Sequence, residues 1–157
     1  MVIWLYRAIA SWLLGYPDAA LADTNQALAD TRAIGQAGTL MFALLHASLI
    51  DMLCRDYAAT SAATDELAVL AEQKGALFWK ALGLSMQGCM CAMTGKAADA
   101  VTMITSGIAA SRSTGATLWV PVCFRSPRRT RTIRRRLALH WRGAKCRGDD
   151  QGKLVRG

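Results

Sequence analysis

Gly35, Gly75 and Gly115 stand 40 residues apart, and the residues around each resemble those around the others. Leu28, Ala68 and Ile108 share one phase of this period, and Ala20, Thr60 and Ala100 another. Thr39, Trp79 and Trp119 share a third, and Gly15, Arg55 and Gly95 a fourth. A constant period of this length is the signature of stacked helical hairpins, because each hairpin has an apolar face that its neighbour must cover. The chain is therefore expected to be all-α, with antiparallel hairpins stacked as a superhelical array. Such an array offers a surface for contacts.

Helical spacing places the elements within this period. Trp4, Leu5, Ala8, Trp12 and Leu13 follow the i, i+3/i+4 pattern of a helix with one buried stripe. Gly15 supplies the terminating residue, and Pro17 sits where the first turn of a second helix tolerates a missing N–H. Asp18 adds a negative charge at that helix's positive end. Ala20, Ala27, Leu28 and Ile34 are predicted as its inner face. A second hairpin is expected over about 39–73, led by Met41, Leu44, Leu45, Ser48 and Leu49, turning at Arg55-Asp56-Tyr57. Its second helix would bury Ala63, Leu67, Leu70 and Ala71. A third runs over 77–112 and turns at Thr94-Gly95-Lys96. Ala20, Ala27 and Gly107 are small enough to let helix axes approach, while Phe78, Trp79, Met86 and Met90 fill the space between layers. The repeats thus divide as 1–36, 37–76 and 77–116. A fourth opens with Thr117-Leu118-Trp119 and breaks at Cys123, which closes a repeat region over 1–122.

Each hairpin carries a form of Gly-x-x-x-x-Ala with an Ala-Leu pair seven residues on, best kept as GYPDAALADTNQAL. This resembles the tetratricopeptide (TPR) repeat in a roughly 40-residue form. The segments WLLGYPDAAL, LCRDYAA, KGALFWKALG and MITSGIAASRSTGATLW resemble more narrowly the C-terminal repeat regions of bacterial signalling proteins. Those proteins place a class III adenylate cyclase or winged-helix domain before an ATPase module. The likeness covers residues 4–122 and includes no cyclase core and no phosphate-binding loop. It implies a fragment with a scaffold role in which any catalytic domain lies outside this sequence.

Charge separates the last segment from the rest. Residues 1–122 hold seven Lys/Arg and nine Asp/Glu, whereas residues 123–157 hold twelve and two. The net charge of +8 therefore belongs to the tail. That tail, RSPRRTRTIRRRLALHWRGAKCRGDDQGKLVRG, has an arginine-dense first half without apolar periodicity. Permissible codons for residues 131–157 allow a neighbouring reading frame to encode GQFDDAWRCIGEAQSVGETTKESWFEA. That string has the Gly-x-Phe-x-x-Ala turn and amphipathic helix of the absent hairpin. A frameshift near codon 123 is thus expected to have replaced the fourth hairpin, leaving a disordered or out-of-frame tail. The uncapped last hairpin would then favour self-association, since terminal repeats need a polar cap. The alternative is a functional basic tail. Arg128, Arg129, Arg131, Arg134, Arg135 and Arg136 would then bind nucleic-acid phosphates in a salt-sensitive, sequence-indifferent way.

No catalytic, metal or cofactor constellation stands out. Cys89 and Cys91 lie two apart, about 200° around a helix, and cannot chelate one ion without unwinding it. Five cysteines without framework spacing imply a reducing compartment. With no signal peptide at the N-terminus, the cytoplasm is the expected location. The longest uncharged run, residues 33–50, is interrupted by Gly35 and Gly38 and so is not read as a membrane span. His46 has only Asp51 near helical spacing and reads as a groove or packing residue, while His140 falls in the tail. The predicted activity is noncatalytic binding of a protein or peptide, with no enzyme chemistry. The 40-residue phase puts Phe42, Leu45, Leu49, Ser85 and Cys89 on a concave groove lined by the first helix of each hairpin. The same residues could equally serve as ordinary packing between layers.

Overall fold

The computed structural model describes residues 2–115. They form six helices: α1 (Val2–Leu13), α2 (Pro17–Ile34), α3 (Ala37–Leu53), α4 (Tyr57–Gln73), α5 (Leu77–Met93) and α6 (Ala97–Ser113). The described residues contain no strand. The elements begin and end close to the predicted positions. The opening fourth hairpin, with Trp119 and the basic tail, lies outside the described residues.

The turns explain the regularity. Gly15, Arg55 and Gly95 all adopt positive φ, at 90°, 63° and 88°. The next residue in each turn donates its N–H backwards to a carbonyl: Tyr16 to Ser11, Asp56 to Asp51 and Lys96 to Cys91, each at 2.9 Å. These are three copies of one left-handed helix stop, 40 residues apart. Its reversed bond satisfies a carbonyl that the helix leaves without a partner. Pro17 occupies the first turn of α2, and the Asp56 carboxylate caps α4 by accepting from Ala59 N at 2.9 Å.

The helices pack in chain order: α1 on α2, α3 on α4 and α5 on α6, with α2 on α3 and α4 on α5 between pairs. First helices also touch one another, α1 on α3 and α3 on α5. Contacts within pairs run antiparallel. Leu5 clusters with Ala27 and Ala8 with Ala20, so rising numbers on α1 meet falling numbers on α2. The main core joins the second pair to the third through Met41, Leu44, Leu45, Leu67, Leu82 and Met86. Full burial of such side chains contributes about 1.5–3 kcal/mol each.

Small residues set the spacing, as predicted. Ala20 and Ala27 are fully buried. A Cβ added at Gly107 would lie 2.2 Å from Ser85 Oγ and 2.9 Å from the Ala81 carbonyl oxygen. Two predicted inner-face residues turn outward instead: Leu13 is 62% exposed and Ile34 54%. Each is the last residue of its helix, beyond the reach of the partner helix. The buried face of the second helices is more polar than the apolar pattern foretold. Thr24, Thr31, Thr60 and Thr64 are all buried. Each donates its hydroxyl to the carbonyl four residues back, at 2.7–3.0 Å. Desolvation of the hydroxyl is thereby offset inside its own helix.

Candidate functional site

Because α1, α3 and α5 succeed one another across the stack, residues 40 apart come into line on a shared face. Tyr6 on α1 meets His46 on α3 edge to face, with ring centroids 6.3 Å apart. Phe42, one turn before His46, stacks on it at 4.2 Å and meets Trp79 of α5 edge-on at 6.2 Å. Phe78 continues the series against Trp79 at 5.2 Å. Five rings thus form a strip across three pairs. Tyr6 is 58% exposed, and Phe42, Phe78 and Trp79 are half-buried. Edge-to-face geometry is the favoured arrangement of such rings, so the strip is ordered by its own contacts.

His46 is the buried hinge of this strip. Its Nδ1 lies 2.8 Å from the Phe42 carbonyl oxygen, to which it donates one turn back. Burial lowers its pKa from the ordinary histidine value, and the Phe42 carbonyl opposes this more weakly. The ring packs between Tyr6 and Phe42. Asp51 lies further along α3. Burial raises its carboxyl pKa to about 6, reinforced by the Asp56 charge.

The five residues assigned to the groove separate into two groups. Phe42, Leu49 and Cys89 are half-buried and remain available to a surface. Leu45 and Ser85 are 5% and 3% exposed. Leu45 belongs to the main core, and Ser85 donates to the Ala81 carbonyl while lying against Gly107 of α6. These two positions are packing between helices, the other role the phase allowed. Tyr6 and Trp79 went unassigned to the groove. The signal for Tyr6 was present, since it stands 40 residues before His46.

Charged and polar side chains also stitch the elements together. Arg7 donates through Nε to Asp23 at 2.6 Å and through its terminal nitrogen to the other carboxylate oxygen. The guanidinium also lies 4.2 Å over the Trp4 ring. This bond holds the Asp23 carboxyl below its ordinary pKa, against the opposing effect of desolvation. Arg32 reaches Glu66 at 2.8 Å, Gln87 reaches Asp65 at 3.2 Å, and Lys80 pairs with Glu72. Cys91 Sγ sits 3.9 Å from Met103 Sδ. Among the described residues, no group of three or more His, Cys, Asp or Glu is placed to hold a metal ion. None of their helices is long and apolar enough to cross a membrane.

No protein-family model, no curated protein and no solved structure matches this chain.

Proposed function

We propose that this chain is a noncatalytic interaction module whose first helices present an apolar, aromatic strip to a protein or peptide partner. The observation that carries this reading is the row of five rings from Tyr6 to Trp79, partly exposed and fixed by mutual contacts. An amphipathic helix laid along such a surface would bury its own apolar residues at i, i+3/i+4 and i+7. The rings supply large contact area at low entropic cost. Leu49 and Cys89, half-buried on α3 and α5, add further apolar character to these helices. The array is read as TPR-like and superhelical. Its wider setting is read as a fragment of a bacterial cyclase/ATPase-type signalling protein, supported by the segment resemblances above.

The test uses a fluorescein-labelled amphipathic helical peptide with Leu and Phe on one face, titrated by anisotropy. The full chain should bind it, and Tyr6→Ala should weaken binding by on the order of ten-fold, as loss of one aromatic anchor does. Tyr6 is mostly exposed, so the far-ultraviolet circular dichroism should not change. Binding that is absent, or indifferent to Tyr6→Ala, contradicts the reading. A second reading, in which the arginine-rich residues 128–136 bind nucleic acid, predicts a different dependence. Deleting residues 123–157 would abolish that binding and leave the peptide affinity unchanged.

A further inference from the structure

The 40-residue equivalence also identifies a second surface, on the opposite side of α1 from α3. Ala43, Ile50 and Cys54 are the residues with which α3 meets the first hairpin. They are 0%, 1% and 8% exposed, and their clusters include Leu5, Ala8, Ala20 and Ala27. The same phase on α5 contains Gly83, which a Cβ would place 3.5 Å from Leu67 of α4. It also contains Gln87, which bonds Asp65 of α4. In both cases the second helix of the preceding hairpin covers the stripe. Forty residues earlier, the stripe consists of Ile3, Arg7 and Ala10 on α1 and Leu14 in the turn just after it. Ile3 is 79% exposed and Leu14 74%, and Ala10 is exposed too. Arg7 already has Asp23 as its counter-ion, so covering the stripe would bury no uncompensated charge.

The complementary surface lies on α6, the last helix of the described residues. Leu21 and Leu28 of α2 pack on the clusters of Ile50, Cys54 and Ala43. Their 40-residue equivalents, two repeats on, are Val101 and Ile108 of α6. Val101 is 64% exposed and Ile108 half-buried.

We infer that the α1 stripe is a stacking interface that receives α6 of a second copy of this chain, so that copies add head to tail in the register already used inside each molecule. The two faces differ, which makes the interface heterologous; it propagates as an open series or closes as a ring, and does not stop at a two-fold dimer. The apolar pairs Ile3 with Ile108 and Leu14 with Val101 follow from the register of Ala43 with Leu28 and Cys54 with Leu21. This inference rests on the packing register between hairpins and does not depend on the peptide-binding strip.

Sedimentation velocity of the full chain over a hundred-fold concentration range tests it. The weight-average mass should rise with concentration past that of a dimer. Leu14→Glu blocks one face and Val101→Glu the other; both positions are exposed, so each variant should retain helicity and sediment as a monomer. An equimolar mixture of the two variants should recover a dimer and go no further, because each supplies the face the other has lost. A wild-type monomer at every concentration overturns the inference. So does self-association that survives Val101→Glu, since that outcome means two α1 faces pair with each other.

Discussion

Two glycines on facing helices show how finely single positions are set. A Cβ at Gly83 would rest 3.5 Å from Leu67 Cδ2, an ordinary contact, whereas one at Gly107 would strike Ser85 Oγ and the Ala81 carbonyl. Gly83→Ala should therefore stabilise the fold by about 0.5–1 kcal/mol through reduced backbone entropy. Gly107→Ala should destabilise it by about 1–3 kcal/mol, because beyond the Ser85 hydroxyl it meets the Ala81 carbonyl, which is backbone and cannot yield. Urea melts of the two variants check both signs. Asp51 gives a second test. Its folded pKa of about 6 exceeds the ordinary 3.8, so the unfolded chain ionises first as pH rises. Stability should fall between about pH 4 and pH 6 and stay low above that window. In Asp51→Asn, thermal melts should lose that slope and show a higher Tm at pH 7. Asp23 works in the opposite direction, its pairing with Arg7 being lost only as pH falls through its lowered folded pKa. Gly107's packing role was legible from its size and phase. The buried threonines were not, because a self-satisfied hydroxyl and a solvated one look alike in sequence.

At the scale of the helix, the turns carried nearly all the readable information. Glycine at one phase announces a left-handed stop, and where Arg55 replaces it the backbone still adopts φ of 63°. The period, more than the residue type, located that turn. The following Asp56 both caps α4 and raises the Asp51 pKa. Asp56→Ala should cost about 1 kcal/mol of stability, as lost N-caps do. Asp56→Asn, which keeps the acceptor and removes the charge, should be nearly neutral and should lower the Asp51 pKa. Chemical denaturation and carboxyl titration by NMR would measure the two effects separately. Helix faces were less legible than helix limits. Leu13 and Ile34 matched the apolar pattern yet sit at helix ends with no partner to cover them, and Leu45 shares its apolar character with true surface positions. Only the crossing of a neighbouring helix decides which apolar residue is core.

Across the whole molecule, the repeat was visible because every layer solves the same packing problem with the same spacing. The positions expected on a groove were only half legible, since phase marks a common side but not its depth. Phe42, Leu49 and Cys89 stayed near the surface, and Leu45 and Ser85 sank into contacts between helices. A frameshift at residues 123–157 would leave a trace in the gene. The coding DNA should encode a fourth hairpin in a neighbouring frame, and a frame without one would leave the basic tail as an evolved segment. In the proposed array, successive hairpins advance in one direction, each covering the last. Spin labels at Ala22, Ala62 and Thr102, phase-equivalent exposed positions on α2, α4 and α6, test it by pulsed dipolar spectroscopy with the native cysteines replaced by serine. The account predicts similar distances for 22–62 and 62–102, and a clearly longer one for 22–102. A 22–102 distance no longer than the other two would show the helices closing into a bundle and contradict it.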